Sequence, residues 1–525
     1  MRQNVTVLVA LFALSVALIS SVNAQQTDVL LKGATVYDGT AADGRKASVA
    51  IADGKILAIG QFNEANAVLE IDCQGLVIAP GFIDLHNHSD RQIVDRRTRA
   101  NINYVLQGCT TIVTGNCGSG PVDVGAYLAK IDEGGAGTNV VHLLPQGSLR
   151  QRVIGTVQRD ATAGEISKMK QLTDKAMSDG AWGMSTGLIY VPSSYASTDE
   201  LVSLAEVVSK HGGIYASHIR NENVRLLAAV GEAMSIGQRA GLPVHISHFK
   251  SSGRESWGLV RRAADMIQTA RDKGHKVTAD QYPYVASSTS LGATLIPTWA
   301  RAGGSRKLLE RLADSEQGPR IRKAMAASLE NKNDGATIRI ARYSPRKDWV
   351  GKSVAQIADS EKKTSLEIAL EITKNGGAAI VNFSMSEDDV RHIMQVPWVA
   401  TASDGRAYLP GADKPHPRSY GTFPRKLGHY SIRESVLSLS QAVRSASGLP
   451  ADILGIKDRG YLKKGLVADI VVFDPAKLKD AATFEDPHQL SQGIQYVLVN
   501  GEFAVYRGRP TGNLAGKALR HSSTK

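Results

Sequence analysis

Cysteine is scarce: 525 residues carry three, Cys73, Cys109 and Cys117, too few for a disulfide scaffold. Cys109 and Cys117 bracket the β-branched run CTTIVTGNC. Extended at about 3.3 Å per residue, that run holds the two sulfurs beyond disulfide reach. Blocks of basic charge are lacking too. The net charge is +12, from 62 Lys+Arg against 50 Asp+Glu, but the excess is scattered along the chain. No zinc-finger, RNA-recognition or helix-turn-helix pattern accompanies it, so nucleic acid is not an expected partner. Scattered positive charge implies only a mild attraction for anionic substrates. There is no internal repeat and no low-complexity tract. With 42% hydrophobic and 21% charged residues, the composition is that of a globular chain long enough to bury a large core.

One long apolar run is present, at the N-terminus. Arg2 precedes residues 5–20, VTVLVALFALSVALIS, and Val22-Asn23-Ala24 offers small residues where a signal peptidase reads them. The expectation is a signal peptide over 1–24, cleaved after Ala24, rather than an uncleaved anchor. The mature protein is then exported, periplasmic or secreted, with no stable membrane insertion after cleavage.

Residues 25–80 read as short strands with turn punctuation, for example DVLLKGATVYDG and ASVAIADGKILAIG. The same texture returns over 465–525, in GLVADIVVFDP and IQYVLVNGEFAVYRG. Matching halves at opposite ends predict one small β-sandwich built from both termini. Between them, over 81–464, short apolar runs alternate with amphipathic helical segments such as 199–211 and 257–274. Strands are expected at 82–88, 111–117, 140–144, 183–188, 213–218, 244–248, 276–280 and 399–404. Eight strand–helix units in series predict an α/β fold, a metal-dependent (β/α)8 TIM barrel. A doubly wound open sheet is the rival, but no glycine-rich dinucleotide loop follows the first of these strands. The gap between Asp280 and Val399 exceeds one crossover helix, and the charged, helix-rich stretch 285–345 reads as a lid-like insertion.

Chemistry gathers at the strand ends. In FIDLHNH, a two-residue period places His86 and His88 on one face beside Asp84. His218 ends GIYASH, His248 ends VHISH and Cys117 ends TTIVTGNC, so five zinc-preferring side chains converge on the C-terminal mouth of the barrel. His245, three residues before His248, is expected to face the helices, as a core or supporting group. His142 is ambiguous, and the remaining histidines outside HPRSYGTF are expected on the surface or as caps. Asp404 closes VATASDG, where a carboxylate can take a proton from an attacking water and return it to a leaving nitrogen; a turn-forming aspartate before Gly405 is the plainer alternative.

The order GFIDLHNH, GNCG, SHIRNE, ISHFK and ASDG, framed by a sandwich ending in ADIVVFDP, resembles the amidohydrolase superfamily. TTIVTGNCG, HISHFKSSG, DQYPYVASST and HPRSYGTFPRKLG further resemble its N-acyl-D-amino-acid deacylase (D-aminoacylase) branch. The resemblance implies zinc held tightly by Cys117, His218 and His248, with His86 and His88 at a second, weaker position, and Asp404 as the catalytic carboxylate. It also implies that Lys250, Arg418, Tyr282 and Tyr190 meet a small-molecule N-acyl amino acid. Superfamily members that bridge two metals with a carboxylated fourth-strand lysine, such as cyclic-amide hydrolases of the dihydropyrimidinase or dihydroorotase kind, are the alternative, with dipeptidases beside them. GMSTGL, at the fourth strand, has no lysine. A barrel that has lost catalysis would be expected to lack some of these residues, and none is missing.

Overall fold

Short apolar strands, broken by glycine and aspartate turns, build the first layer of the protein. The structure, a computed structural model, describes residues 27–62 and 67–522; the leader expected over 1–24 lies outside the described residues. Thr27–Val36, Arg45–Ala52, Lys55–Gly60, Ala67–Asp72 and Val77–Pro80 join Ile470–Phe473, Ile494–Val499, Glu502–Tyr506 and Arg509–Pro510 in one nine-stranded sheet. The chain ends meet where Val77–Pro80 runs antiparallel to Ile470–Phe473, Ile470 opposite Pro80. Alternation gives the joining strand two faces. Ile470 and Val472 enter the sandwich core with Leu31, Val49 and Leu498, while Val471 and Phe473 pack against the barrel with Phe82.

The eight expected barrel strands are all present, as β1 (Phe82–Asp84), β2 (Cys109–Thr114), β3 (Asn139–His142), β4 (Gly183–Gly187), β5 (Ile214–His218), β6 (Val244–Ile246), β7 (Val277–Gln281) and β8 (Val399–Thr401). β1, β2 and β3 pair in parallel, and the chain after β3 runs on through Leu144–Pro145 to pair with β4. Parallel pairing then continues from β4 to β8. The ring closes between β8 and β1: Asp404 N donates to His86 O and His88 N to Gly405 O, each at 2.8 Å. Ile83, Val113, Val141, Ile214 and Ala400 fill the interior. Helices such as Thr198–Lys210, capped by Ser197, and Leu259–Asp272 lie outside it.

Several strands end earlier than their apolar patterns predict. β1 stops at Asp84, β2 at Thr114, β6 at Ile246 and β8 at Thr401, short of His88, Cys117, His248 and Asp404 respectively. In three of these cases the backbone turns into the left-handed region, with φ of 51° at Cys117, 37° at His248 and 51° at Asp404. Such a turn costs an L-residue about 1–2 kcal/mol. It carries the side chain off the alternating faces of the strand and into the mouth.

The insertion is larger than the stretch 285–345. Ala286–Ser290, Ile338–Arg342 and Ala379–Phe383 form a three-stranded antiparallel sheet with Ala379–Phe383 in the middle. Helices Gly304–Ala313, Gln317–Glu330 and Ser365–Lys374 cover it around a separate core that includes Ile321, Ile340, Trp349 and Ile368. Because the central strand lies beyond residue 345, the body spans residues 286–383. The C-terminal tail leaves the sandwich and lies along β3, Leu519 N donating to Val140 O at 2.8 Å. Among the described residues, no helix is long and apolar enough to cross a membrane.

Candidate metal centre

The turn after β2 is built to present one sulfur. Gly115 takes φ 78°, and a Cβ there would fall 2.0 Å from Leu143 O. Gly115 N donates to Asp90 Oδ1 at 2.7 Å, Asn116 Nδ2 to Val113 O at 2.9 Å, and Gly118 N to Ser185 Oγ at 3.0 Å. Gly187, at the end of β4, passes against Cys117 O, where a side chain would clash at 2.2 Å. These contacts hold the Cys117 thiol over the barrel mouth.

Three imidazole nitrogens ring that thiol. Cys117 Sγ lies 3.3 Å from His86 Nε2, 3.5 Å from His218 Nδ1 and 3.7 Å from His248 Nε2. Zinc bonds of about 2.3 Å to sulfur and 2.0–2.1 Å to nitrogen, at tetrahedral angles, put S and N ligands about 3.5 Å apart. The observed spacings bracket that edge, so these side chains fit a zinc ion. A second group overlaps the first: Asp404 Oδ1 is 3.1 Å from His88 Nε2 and 3.6 Å from His86 Nε2. His86 belongs to both groups, and a third set of donors, His218, Glu222 and His248, overlaps the first through His248.

Electrostatics single out Cys117 among the cysteines. All three are buried and free. Burial pushes Cys73 up to about 12 and Cys109 well above the usual thiol range, which keeps both protonated. Burial acts on Cys117 in the same sense, but the imidazoles of His86 and His218 outweigh it and hold the thiol well below its ordinary value. A thiolate is the form that binds a soft metal. Asp404 follows the same logic: burial would raise its carboxyl, whereas the Arg418 guanidinium and His86 hold it well below the carboxylate range.

Around these donors lies a cavity of about 1200 Å³, lined by His88, Cys117, Tyr190, His248, Asp404 and Arg418 on the barrel side. The insertion supplies its outer wall, through Ser288, Thr289, Arg342 and Ala379 among others. Arg418 Nη1 lies 2.8 Å from Asp404 Oδ2. Its guanidinium stacks 4.8 Å from the Tyr282 ring. The Tyr282 hydroxyl is buried without a partner. Tyr190 sits edge-on to His218 and bonds Thr289 Oγ1 at 3.1 Å. Lys250 is set back beneath the cavity, its ammonium 2.6 Å from Glu222 Oε1. The structure therefore gathers every one of the ten expected site residues around one mouth.

Two supporting carboxylates emerge only in three dimensions. Asp280 Oδ2 accepts from His245 Nε2 at 2.8 Å and lies 3.7 Å from His86 Nδ1, while its Oδ1 accepts from His248 N at 2.6 Å. Burial would raise this carboxyl, but its bonds to His245 and His86 hold it well below the usual range. His245 thus faces the barrel interior, not the helices. The three-residue offset from His248 misleads because the strand ends between them. Glu222, four residues after His218 in SHIRNE, touches both His248 and Lys250. Asp84 bonds Ser403 Oγ and Asn87 Nδ2, each within 2.8 Å, and not the imidazoles beside it. His142 bonds Thr114 and Pro121 and stands apart from the donors.

A thiolate and imidazoles converging at the C-terminal mouth of a barrel, beside an aspartate, define a metal-dependent hydrolase of the amidohydrolase class. The chain belongs to the Amidohydrolase family, whose model matches residues 69–505. Within it, the chain is similar to the D-aminoacylase of Alcaligenes xylosoxydans xylosoxydans, at 35% identity over 96% of this chain and 100% of that protein. The N-acyl-D-aspartate deacylase of the same organism is 33% identical over 93% of each chain. Among solved structures, the N-acyl-D-glutamate deacylase of Bordetella bronchiseptica, complexed with zinc and a phosphonate mimic of the tetrahedral intermediate, superposes with a TM-score of 0.80. It is 33% identical and covers 94% of this chain and 100% of that one.

Proposed function

We propose that this protein is a zinc-dependent N-acyl-D-amino-acid deacylase that hydrolyses a linear amide to a carboxylic acid and a free D-amino acid. The observation that carries the reading is the Cys117 sulfur ringed by His86, His218 and His248 at 3.3–3.7 Å, next to the Asp404–Arg418 pair. Its near full-length likeness to D-acyl-amino-acid deacylases supplies the substrate class. In this reading Cys117, His218 and His248 hold the tight zinc ion, and His86 and His88 form the weaker position. Zinc bound there polarises an amide carbonyl and lowers the pKa of an attacking water. Asp404 takes that water's proton as the C–O bond forms, then hands it to the amide nitrogen as the C–N bond breaks. Arg418, Lys250 and Tyr282 receive the α-carboxylate of the substrate, and Tyr190 closes the wall beside His218. The apolar run over residues 5–20 with small residues at 22–24 supports export, so the proposed reaction site is the periplasm or the outside of the cell.

Release of free D-amino acids from N-acetyl-D-amino acids, followed by chiral chromatography, tests the reading; a protein inert towards every member of such a panel contradicts it. Carboxylate recognition has its own test. Charge-assisted hydrogen bonds are worth about 1.5–3 kcal/mol, so Arg418→Ala should raise KM about 10- to 100-fold. kcat should fall as well, because Asp404 loses its ion-pair partner. The wild type should handle the α-carboxamide of the same substrate as poorly as the variant does. Unaltered KM in Arg418→Ala would exclude the contact.

A further inference from the structure

We propose that Glu222 is a positioning residue that couples the metal-side His248 to the substrate-side Lys250. The proposal rests on the proposed function, in which His248 holds zinc and Lys250 meets the substrate carboxylate. Glu222 lies in the loop after β5, with its side chain only 14% exposed. One oxygen serves two partners: Oε1 is 2.9 Å from His248 Nδ1 and 2.6 Å from Lys250 Nζ. The loop is itself tied to the segment after β6, since Ser252 N donates to Glu222 O at 2.7 Å. That tie fixes the Glu222 backbone beside the segment that carries His248 and Lys250.

The contact with His248 is on the nitrogen turned away from Cys117. An imidazole whose Nδ1 proton is accepted by a carboxylate has its ring orientation fixed and its Nε2 lone pair free for a metal. His248 Nε2 is the atom that faces Cys117 Sγ, at 3.7 Å. Through this contact Glu222 supports the ligand set from the side of His248 turned away from Cys117.

The contact with Lys250 follows from counting donors. The ammonium has three protons. In the structure Nζ lies within reach of Glu222 Oε1 at 2.6 Å, His248 O at 2.9 Å and His248 Nδ1 at 2.9 Å. Once Nδ1 carries the proton that Glu222 accepts, it is no longer an acceptor for the lysine. Two ammonium protons then go to Glu222 and to His248 O, and the third is left for another anion. Zinc binding at His248 and carboxylate binding at Lys250 thus draw on the same glutamate.

The test uses zinc-loaded full-length protein and the variants Glu222→Gln, Glu222→Asp, Lys250→Met and the double variant Glu222→Gln/Lys250→Met. Zinc affinity is read by chelator competition, and kcat and KM by steady-state hydrolysis. Loss of an orienting partner of this kind costs about 10- to 100-fold in metal affinity. Glu222→Gln should show that loss together with a raised KM, and Glu222→Asp should recover part of both. Lys250→Met should raise KM and leave zinc affinity intact. The KM effects of the two single variants should overlap in the double variant rather than add. Wild-type zinc affinity in Glu222→Gln, or fully additive KM effects, would overturn the proposal. Should Glu222→Gln fail to fold, Glu222→Asp serves the same two comparisons. The zinc measurement needs no substrate, so a wild type without deacylase activity would sink the functional reading and leave the metal arm standing.

Discussion

Asp404→Asn should lose about 10³- to 10⁴-fold in kcat while binding zinc as the wild type does. The amide keeps the size of the carboxylate and its hydrogen bond to His88, but it cannot carry a proton from water to nitrogen. That loss corresponds to about 4–5.5 kcal/mol of transition-state stabilisation. Three contacts hold Asp404 where such a transfer requires it: its N is anchored to His86 O at 2.8 Å, its Oδ1 lies 3.1 Å from His88 Nε2 and its Oδ2 lies 2.8 Å from Arg418 Nη1. Its backbone is held at φ 51°, strain of the kind that accumulates at reacting groups and that the surrounding structure must over-determine. Kinetics on matched zinc-loaded preparations check the prediction. Near-normal turnover would remove Asp404 from the chemistry and leave it as a turn former.

The second large effect is expected at Cys117. Removing a partner that only orients a ligand costs about 10- to 100-fold in metal affinity, so losing a ligand itself should exceed 100-fold. Cys117→Ala should therefore purify with little zinc and correspondingly little activity. Fold loss is not expected to account for it, because the turn is held by Gly115, Asn116 and Gly118 through backbone and side-chain bonds that do not involve the sulfur. Circular dichroism of zinc-free wild type and variant should match. Elemental analysis showing full zinc in Cys117→Ala would sink the thiolate-ligand assignment. Cys73→Ala and Cys109→Ala, which remove buried, protonated thiols far above the neutral range, should leave zinc content unchanged.

The barrel was legible in the sequence because its strands are short apolar runs followed by histidine, cysteine or aspartate. Several such ends, set in series and followed by helical segments, point to one shared mouth even though single ones, such as His142 and Asp84, prove structural. Legibility failed where the chain leaves its regular period. His245 and His248 are opposite in parity, yet both reach the interior, because β6 stops at Ile246 and His248 sits at φ 37°. Long-range pairing was equally hidden. Nothing local in Ala379–Phe383 announces that it pairs with Ala286–Ser290, so the insertion looked shorter than it is. Short apolar runs between turn residues marked Val77–Pro80 and Ile470–Phe473 as strands, but not that they are each other's partners. Asp280 and Glu222 escaped for a related reason. Each stands inside a motif already recognised, but its role lies in contacts with side chains on other strands and loops, which spacing does not encode.

The central claim is that one zinc-bearing mouth hydrolyses N-acyl-D-amino acids. The most direct measurement follows hydrolysis of paired N-acetyl-D- and N-acetyl-L-amino acids by the protein as purified, after zinc removal with a chelator, and after zinc is restored. Turnover of the D series only is expected, abolished by the chelator and recovered with zinc. Equal turnover of both series, or D-specific turnover that survives complete removal of the metal, would contradict it.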